Sequence, residues 1–183
     1  MRFDAMFERS LSSWPHRRFS RAAHGWSSTN RAISSVAVFT LSYTASVFGG
    51  GSREELESLV AKFGLDDTVF LCGHQENPYK FISRADALIC SSYAEGYSTS
   101  VTEAVILGKP VITTECSGMR EIFGDKECGI ICENSEEGLF NAIKSILDNP
   151  EKLEEYARNS AERAKDFSIE KRIAELEEYL EKI

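Results

Sequence analysis

Ala87-Leu88-Ile89-Cys90-Ser91-Ser92-Tyr93-Ala94-Glu95-Gly96-Tyr97-Ser98-Thr99-Ser100-Val101-Thr102-Glu103-Ala104-Val105-Ile106-Leu107-Gly108 passes from an apolar tetrad, through a polar loop, into a helix-forming stretch. The tetrad 87–90 is short and wholly apolar, the pattern of a strand covered on both faces. The loop 91–98 carries Gly96 and four hydroxyl or carboxyl side chains besides its aromatics. The spacing predicts a helix from about Thr99 to Leu107, stopped by Gly108. Pro110 then introduces a second strand, Val111-Ile112-Thr113-Thr114. Strand, loop, helix, strand is the repeating unit of a parallel sheet.

The alternation continues outward. Upstream, Ser52 and Glu55 form a capping box for a helix carrying Leu56, Leu59 and Val60 and ending at Gly64. Val69-Phe70-Leu71-Cys72 is a strand, and Asn77-Pro78 supplies N-cap and first helical position of a short helix to about Arg84. Downstream, a short helix at 119–123 precedes a strand at 129–132. Ser135 caps a helix with Leu139, Ile143, Ile146 and Leu147 on one face. Asn149-Pro150 opens another helix, and Ser168 caps the last, with Ile169, Ile173, Leu176 and Leu180 expected inward. The fold class is therefore α/β: a Rossmann-like parallel sheet with helices on both faces, read as βαβαβαβα plus two C-terminal helices. Ligands of such sheets sit at the carboxyl ends of strands, so loops 73–77, 91–98, 115–118 and 133–135 are the ones to search.

Residues 1–50 read differently from 51–183, and the domain boundary is placed between them. The chain has 183 residues and a net charge of -8, but the first fifty residues hold six Arg, no Lys and only Asp4 and Glu8. That makes the leader about +4 and residues 51–183 about -12. A chain with this acidic balance is not expected to bind nucleic acid. The start has no apolar run of the secretory type. Residues 32–52 lack charge, yet Phe39, Leu41, Tyr43, Ala45 and Val47 alternate with hydroxyl residues. Period two predicts a half-buried strand, not a membrane span. Residues 36–47 are thus expected to supply one sheet strand, and the Ser/Arg-rich residues 1–35 to be poorly ordered. Of the five cysteines, Cys72, Cys90 and Cys132 lie in or beside apolar runs and are expected to be buried, reduced thiols. Cys128 and Cys132 have neither a second pair nor a nearby His, so no metal site is expected there.

The chemistry concentrates in 91–103. Gly96 permits close backbone approach, and Ser98, Thr99 and Ser100 place amides and hydroxyls at a helix N-terminus, where an anion is stabilised. Glu95 precedes that anion site and Glu103 lies one turn inside the helix. Carboxylates at both ends of a phosphate cradle suit a ligand with hydroxyls on both sides of its phosphates, which describes a nucleotide sugar. Lys109 is the basic group nearest this helix in sequence. Arg84 and Arg120 read as surface groups with a phosphate contact left open, and Glu121 equally as helix cap, ion pair or ligand contact.

Three segments together resemble the C-terminal half of a GT-B glycosyltransferase of the retaining E-x7-E group, over about residues 51–183. They are Glu95-Gly96-Tyr97-Ser98-Thr99-Ser100-Val101-Thr102-Glu103-Ala104, Gly108-Lys109-Pro110-Val111-Ile112-Thr113-Thr114 and Ser117-Gly118-Met119-Arg120-Glu121-Ile122. The resemblance implies that Glu103 binds the donor ribose. It implies that Glu95, as catalytic group, acts with Gly96, Tyr97 and Ser98 on donor sugar hydroxyls. Amides near Ser98 and Thr99 would hold the diphosphate, and His74 would lie near the base. No D-x-D occurs, so no metal or separate cofactor is expected; the nucleoside-diphosphate sugar is the donor substrate. The implied partners are that nucleotide sugar, a glycan or lipid-linked acceptor and an N-terminal GT-B domain, which does not fit within fifty residues. The family also implies an Arg and a Lys on the domain's first strand and loop, with Arg2-Phe3-Asp4 as what remains of the segment that follows them. The implied role is polysaccharide or cell-envelope glycan synthesis, in the cytoplasm or at the inner membrane face. Alternatives are a non-catalytic nucleotide-sugar-binding fragment and a GT-B nucleotide-sugar epimerase. A dinucleotide oxidoreductase is disfavoured, because no G-x-G-x-x-G opens a helix.

Overall fold

A computed structural model describes residues 36–40, 44–48 and 53–182. Six strands form one sheet in the order β3-β2-β1-β4-β5-β6. They are β1 (Val36–Thr40), β2 (Thr44–Phe48), β3 (Val69–Leu71), β4 (Ala87–Cys90), β5 (Val111–Thr114) and β6 (Gly129–Cys132). The helices are α1 (Arg53–Phe63), α2 (Tyr79–Ile82), α3 (Thr99–Ile106), α4 (Met119–Phe123), α5 (Glu136–Asp148), α6 (Lys152–Ala164) and α7 (Ile169–Glu181). A 3-10 turn, Lys165–Phe167, joins the last two.

The alternating stretch gives two strands rather than one. Twelve extended residues would span about 40 Å, far beyond strands of three to five residues. The chain instead breaks after Thr40, and β2 pairs antiparallel with β1, matching Val36 to Phe48 and Thr40 to Thr44. Only three residues separate these strands, and a parallel pairing needs a crossover of a dozen or more. The expected all-parallel sheet is therefore corrected to a mixed one. β1 also runs antiparallel to β4, while β2–β3, β4–β5 and β5–β6 are parallel. Five strands end on one edge of the sheet, and β1 alone ends on the opposite edge. Arg2-Phe3-Asp4, Ser52 and the expectation of poor order for 1–35 lie outside the described residues.

Helices cover both faces because the strands alternate between two cores. Leu88 and Cys90 of β4 meet Val101, Ala104 and Val105 of α3 and Met119, Ile122 and Phe123 of α4 on one face. Ala87 and Ile89 meet Leu139, Ala142, Ile143 and Ile146 of α5 on the other. β4, an unbroken apolar run, and β5 are buried at every position, Thr113 and Thr114 of β5 included. Cys90 is buried, but Cys72 and Cys132 are only half-buried, short of the full burial expected of them.

Several boundaries move. Pro78, not Asn77, is the N-cap residue of α2. α6 starts at Lys152, after Asn149-Pro150 have closed α5. The larger correction is α7: Ile169, Ile173, Leu176 and Leu180 are exposed at 73%, 51%, 58% and 59%. Among the described residues nothing covers that row, although Ser168 caps the helix as expected by accepting from the Lys171 amide. α6, by contrast, is tied down. Ser160 donates to the Lys109 carbonyl at 3.0 Å, and Arg163 donates to the carbonyls of Glu121 and Ile122 at 2.7 and 2.8 Å. These last two satisfy carbonyls that the short α4 cannot pair internally. Among the described residues no helix is long and apolar enough to cross a membrane.

Candidate functional site

The carboxyl edge of the sheet holds a cleft of about 400 Å³. Phe48 closes it from the end of β2, and Gly73, His74 and Gln75 line it from the loop after β3. Pro78 and Ile82 contribute a wall from α2 and its entry. Glu95 and Tyr97 come from the loop after β4, and Ser98, Thr99, Ser100 and Glu103 from the start of α3. Of the residues singled out in the sequence, His74, Glu95, Tyr97, Ser98, Thr99 and Glu103 thus share one cavity. Gly96 is beside it but not in its lining. Its carbonyl packs against Gly118, where a Cβ would come within 2.4 Å of that oxygen.

Glu95 is held from below. Ser92, which is buried, donates to Glu95 Oε1 at 2.8 Å. The Ser92 carbonyl in turn accepts from Thr114 Oγ1 at 2.5 Å and from Cys116 Sγ at 2.9 Å. Burial raises the Cys116 thiol above its ordinary value, which keeps the proton it donates. Asn134 joins three of the four loops on this edge: its Nδ2 donates to the carbonyls of Tyr93 at 2.9 Å and Glu115 at 3.1 Å. A polar network of this kind, buried at Ser92 and Thr114, fixes the loop that carries Glu95.

α3 begins with an open end. Ser98 occupies the N-cap position, but its side chain makes no capping hydrogen bond. Ser135 and Ser168, at the starts of α5 and α7, both accept from an amide three residues on. The first amide of α3 with a backbone partner is Thr102, which donates to Ser98 O at 3.0 Å. The amides before it have no partner within the helix and point along the dipole's positive end. An anion placed at Ser98–Ser100 meets them directly.

Glu103, half-buried one turn further on, accepts from Tyr79 Oη at 3.0 Å. That hydrogen bond raises the Tyr79 phenol above its ordinary value. The basic candidates fare differently. Arg120 binds Glu115 through two hydrogen bonds of 2.6 and 2.5 Å, and this pairing holds the Glu115 carboxyl below the usual carboxylate range. Lys109 gives its backbone to α3 and α6. Neither it nor Arg84 lines the cleft. Glu121 meets Arg163 through its backbone carbonyl. Sequence reasoning missed Phe48, Pro78 and Ile82; Phe48 sits one place beyond the alternating run, at the end of a strand the periodicity did not separate.

Residues 33–163 match the family model of glycosyl transferases group 1. The chain belongs to that family. Among curated relatives, the chain is 32% identical over 120 residues to N-acetylgalactosamine-N,N'-diacetylbacillosaminyl-diphospho-undecaprenol 4-alpha-N-acetylgalactosaminyltransferase of Campylobacter jejuni, covering 64% of this chain and 33% of that one. It is 25% identical over 135 residues to the lipopolysaccharide glucosyltransferase WaaG of Escherichia coli, covering 71% and 36%. The chain thus spans about a third of the length of these relatives. Among solved structures, sucrose-phosphate synthase from Thermosynechococcus elongatus superposes with a TM-score of 0.61 at 27% identity, over 73% of this chain and 37% of that one. The expected fold, the C-terminal half of a GT-B fold, agrees with these matches.

Proposed function

We propose that this chain is the donor-binding half of a retaining glycosyltransferase that takes a sugar from a nucleoside-diphosphate sugar and gives it to a hydroxyl acceptor. The observation that carries this reading is that both carboxylates of the E-x7-E spacing, Glu95 and Glu103, line one cleft on either side of an uncapped helix N-terminus. Glu103 takes the ribose hydroxyls, and the α3 amides take the diphosphate. Glu95, fixed by Ser92, takes donor sugar hydroxyls with the Gly96–Ser98 backbone. His74 and Gln75 border the base. As the glycosidic bond to phosphate breaks, negative charge grows on the departing diphosphate. Amides already oriented at the helix end stabilise it without reorganising. Charge stabilisation of that kind asks for no metal. The Campylobacter relative's name specifies a diphospho-undecaprenol. A glycan or lipid-linked acceptor of that class would bring this chain from the cytoplasm to the inner face of a membrane.

A second reading, binding without transfer by this chain alone, is favoured by one observation: among the described residues that line the cleft, none is Lys or Arg. Titration calorimetry of the chain with UDP-, GDP- and ADP-sugars tests both. Binding of one donor, weakened about tenfold or more by Glu103→Ala, is expected, since hydrogen bonds to a charged group are the stronger ones. A chain that binds none of the three rejects the site. Product formed by the chain with an added acceptor rejects the binding-only reading.

A further inference from the structure

Tyr79 stands outside the cleft and touches the one carboxylate assigned to its ribose end. It opens α2, whose Pro78 and Ile82 side forms a cleft wall, yet Tyr79 is not part of the lining. Tyr79 is 46% exposed, so it contributes little to the core. Its hydroxyl crosses from α2 to α3 and donates to Glu103 Oε1 at 3.0 Å. Among the described residues no other hydrogen bond reaches the Glu103 carboxylate.

We propose that Tyr79 is a positioning residue that sets the Glu103 carboxylate for the cis-diol of a ribose, and so makes the cleft prefer ribonucleoside over deoxyribonucleoside diphosphates. The inference rests on the nucleotide-sugar reading of the cleft. An ionised carboxylate offers about four lone-pair sites. Tyr79 uses one of them, which fixes the plane of the group and leaves sites on both oxygens for two hydroxyl donors. A glutamate without that anchor rotates freely on a helix surface and loses the freedom only when ligand binds, at a cost in affinity. The same hydrogen bond joins the wall at Pro78 and Ile82 to the ribose carboxylate, so base end and ribose end keep a fixed spacing. Because Glu103 raises the phenol above its ordinary value, the donated proton stays in place across the neutral range.

The test is calorimetric titration of the full chain and of Tyr79→Phe with UDP, GDP and ADP, and with the 2′,3′-dideoxy form of whichever binds best. Tyr79→Phe is expected to weaken the ribonucleotide about three- to tenfold and leave the dideoxy form unchanged. In a Glu103→Ala background the same substitution is expected to have no further effect. The thermal midpoint of Tyr79→Phe serves as the fold control and is expected to match that of the parent. Unchanged ribonucleotide affinity, or equal loss for both sugars, overturns the positioning role while leaving the donor site standing. A parent chain that binds none of the three nucleotides overturns the donor reading and the role of Tyr79 with it.

Discussion

α5 and α7 are near twins in sequence logic and opposites in structure. Each has thirteen residues, a serine N-cap whose hydroxyl accepts from the amide three positions on, at least one acid in the first turn and an apolar row at helical spacing. α5 buries Leu139, Ala142, Ile143 and Ile146 against β4 and β5. α7 buries nothing. The difference lies in what faces each row. The sheet offers α5 Ala87, Ile89 and Ile112, all nearly inaccessible to solvent. α7 follows a 3-10 turn that leads it beyond the sheet. An apolar stripe specifies that a helix wants a partner; it does not say whether the partner lies within the same stretch of chain.

The sharpest way to break this contrast is to truncate one residue in each row. Ile143→Ala is expected to lower unfolding free energy by about 2–5 kcal/mol, through lost burial and the cavity left behind. Leu176→Ala, more than half exposed, is expected to stay within about 0.5 kcal/mol. Urea unfolding of both variants checks this. Equal costs would mean that the α7 row is covered in solution. The serine caps give a smaller contrast. Ser135→Ala is expected to cost about 1 kcal/mol globally, because α5 unfolds with the core. Ser168→Ala is expected to leave the thermal midpoint in place and to reduce amide protection only within α7, because a helix without buried contacts opens on its own.

The stretch from Ala87 to Cys132 was readable because each strand is short and bounded by Gly, Pro or a polar loop. Its strands fall where the composition changes, and the cleft residues Glu95, Ser98, Thr99 and Glu103 sit on one strand–loop–helix unit, close in sequence. The stretch that forms β1 and β2 carried no such marks. Between Phe39 and Val47 the alternation runs through Leu41-Ser42-Tyr43 without Gly, Pro, Asn or Asp, so the break after Thr40 left no signal. The reversal of β1 followed from that unseen break, because strand direction depends on the length of the connection. Tyr79 and Glu103 are 24 residues apart, and only folding brings α2 against α3. The exposure of α7 was illegible for a third reason: its apolar row is that of a helix with one packed face, and burial is a property of two surfaces.

The smallest effect concerns what does attach α7. Asp166, in the turn before it, pairs with Lys171 in its first turn and with Arg163 at the end of α6, the latter at 2.7 Å. Lys171 first, and Arg163 with it, hold the Asp166 carboxyl below its ordinary value. A depressed folded-state pKa means that the folded form resists protonation. Its contribution is therefore complete above the ordinary aspartate range and is lost as pH falls from there through the depressed value. Below about pH 4, α7 is expected to lose its tie while α5, attached by apolar burial, keeps its own. Amide protection factors measured across an acid series should fall first in α7. Asp166→Asn should show the weaker α7 protection already at neutral pH and lose the acid dependence. Simultaneous loss in α5 and α7 would show that the two helices share one cooperative unit, and that the exposed row of α7 is held by more than this turn.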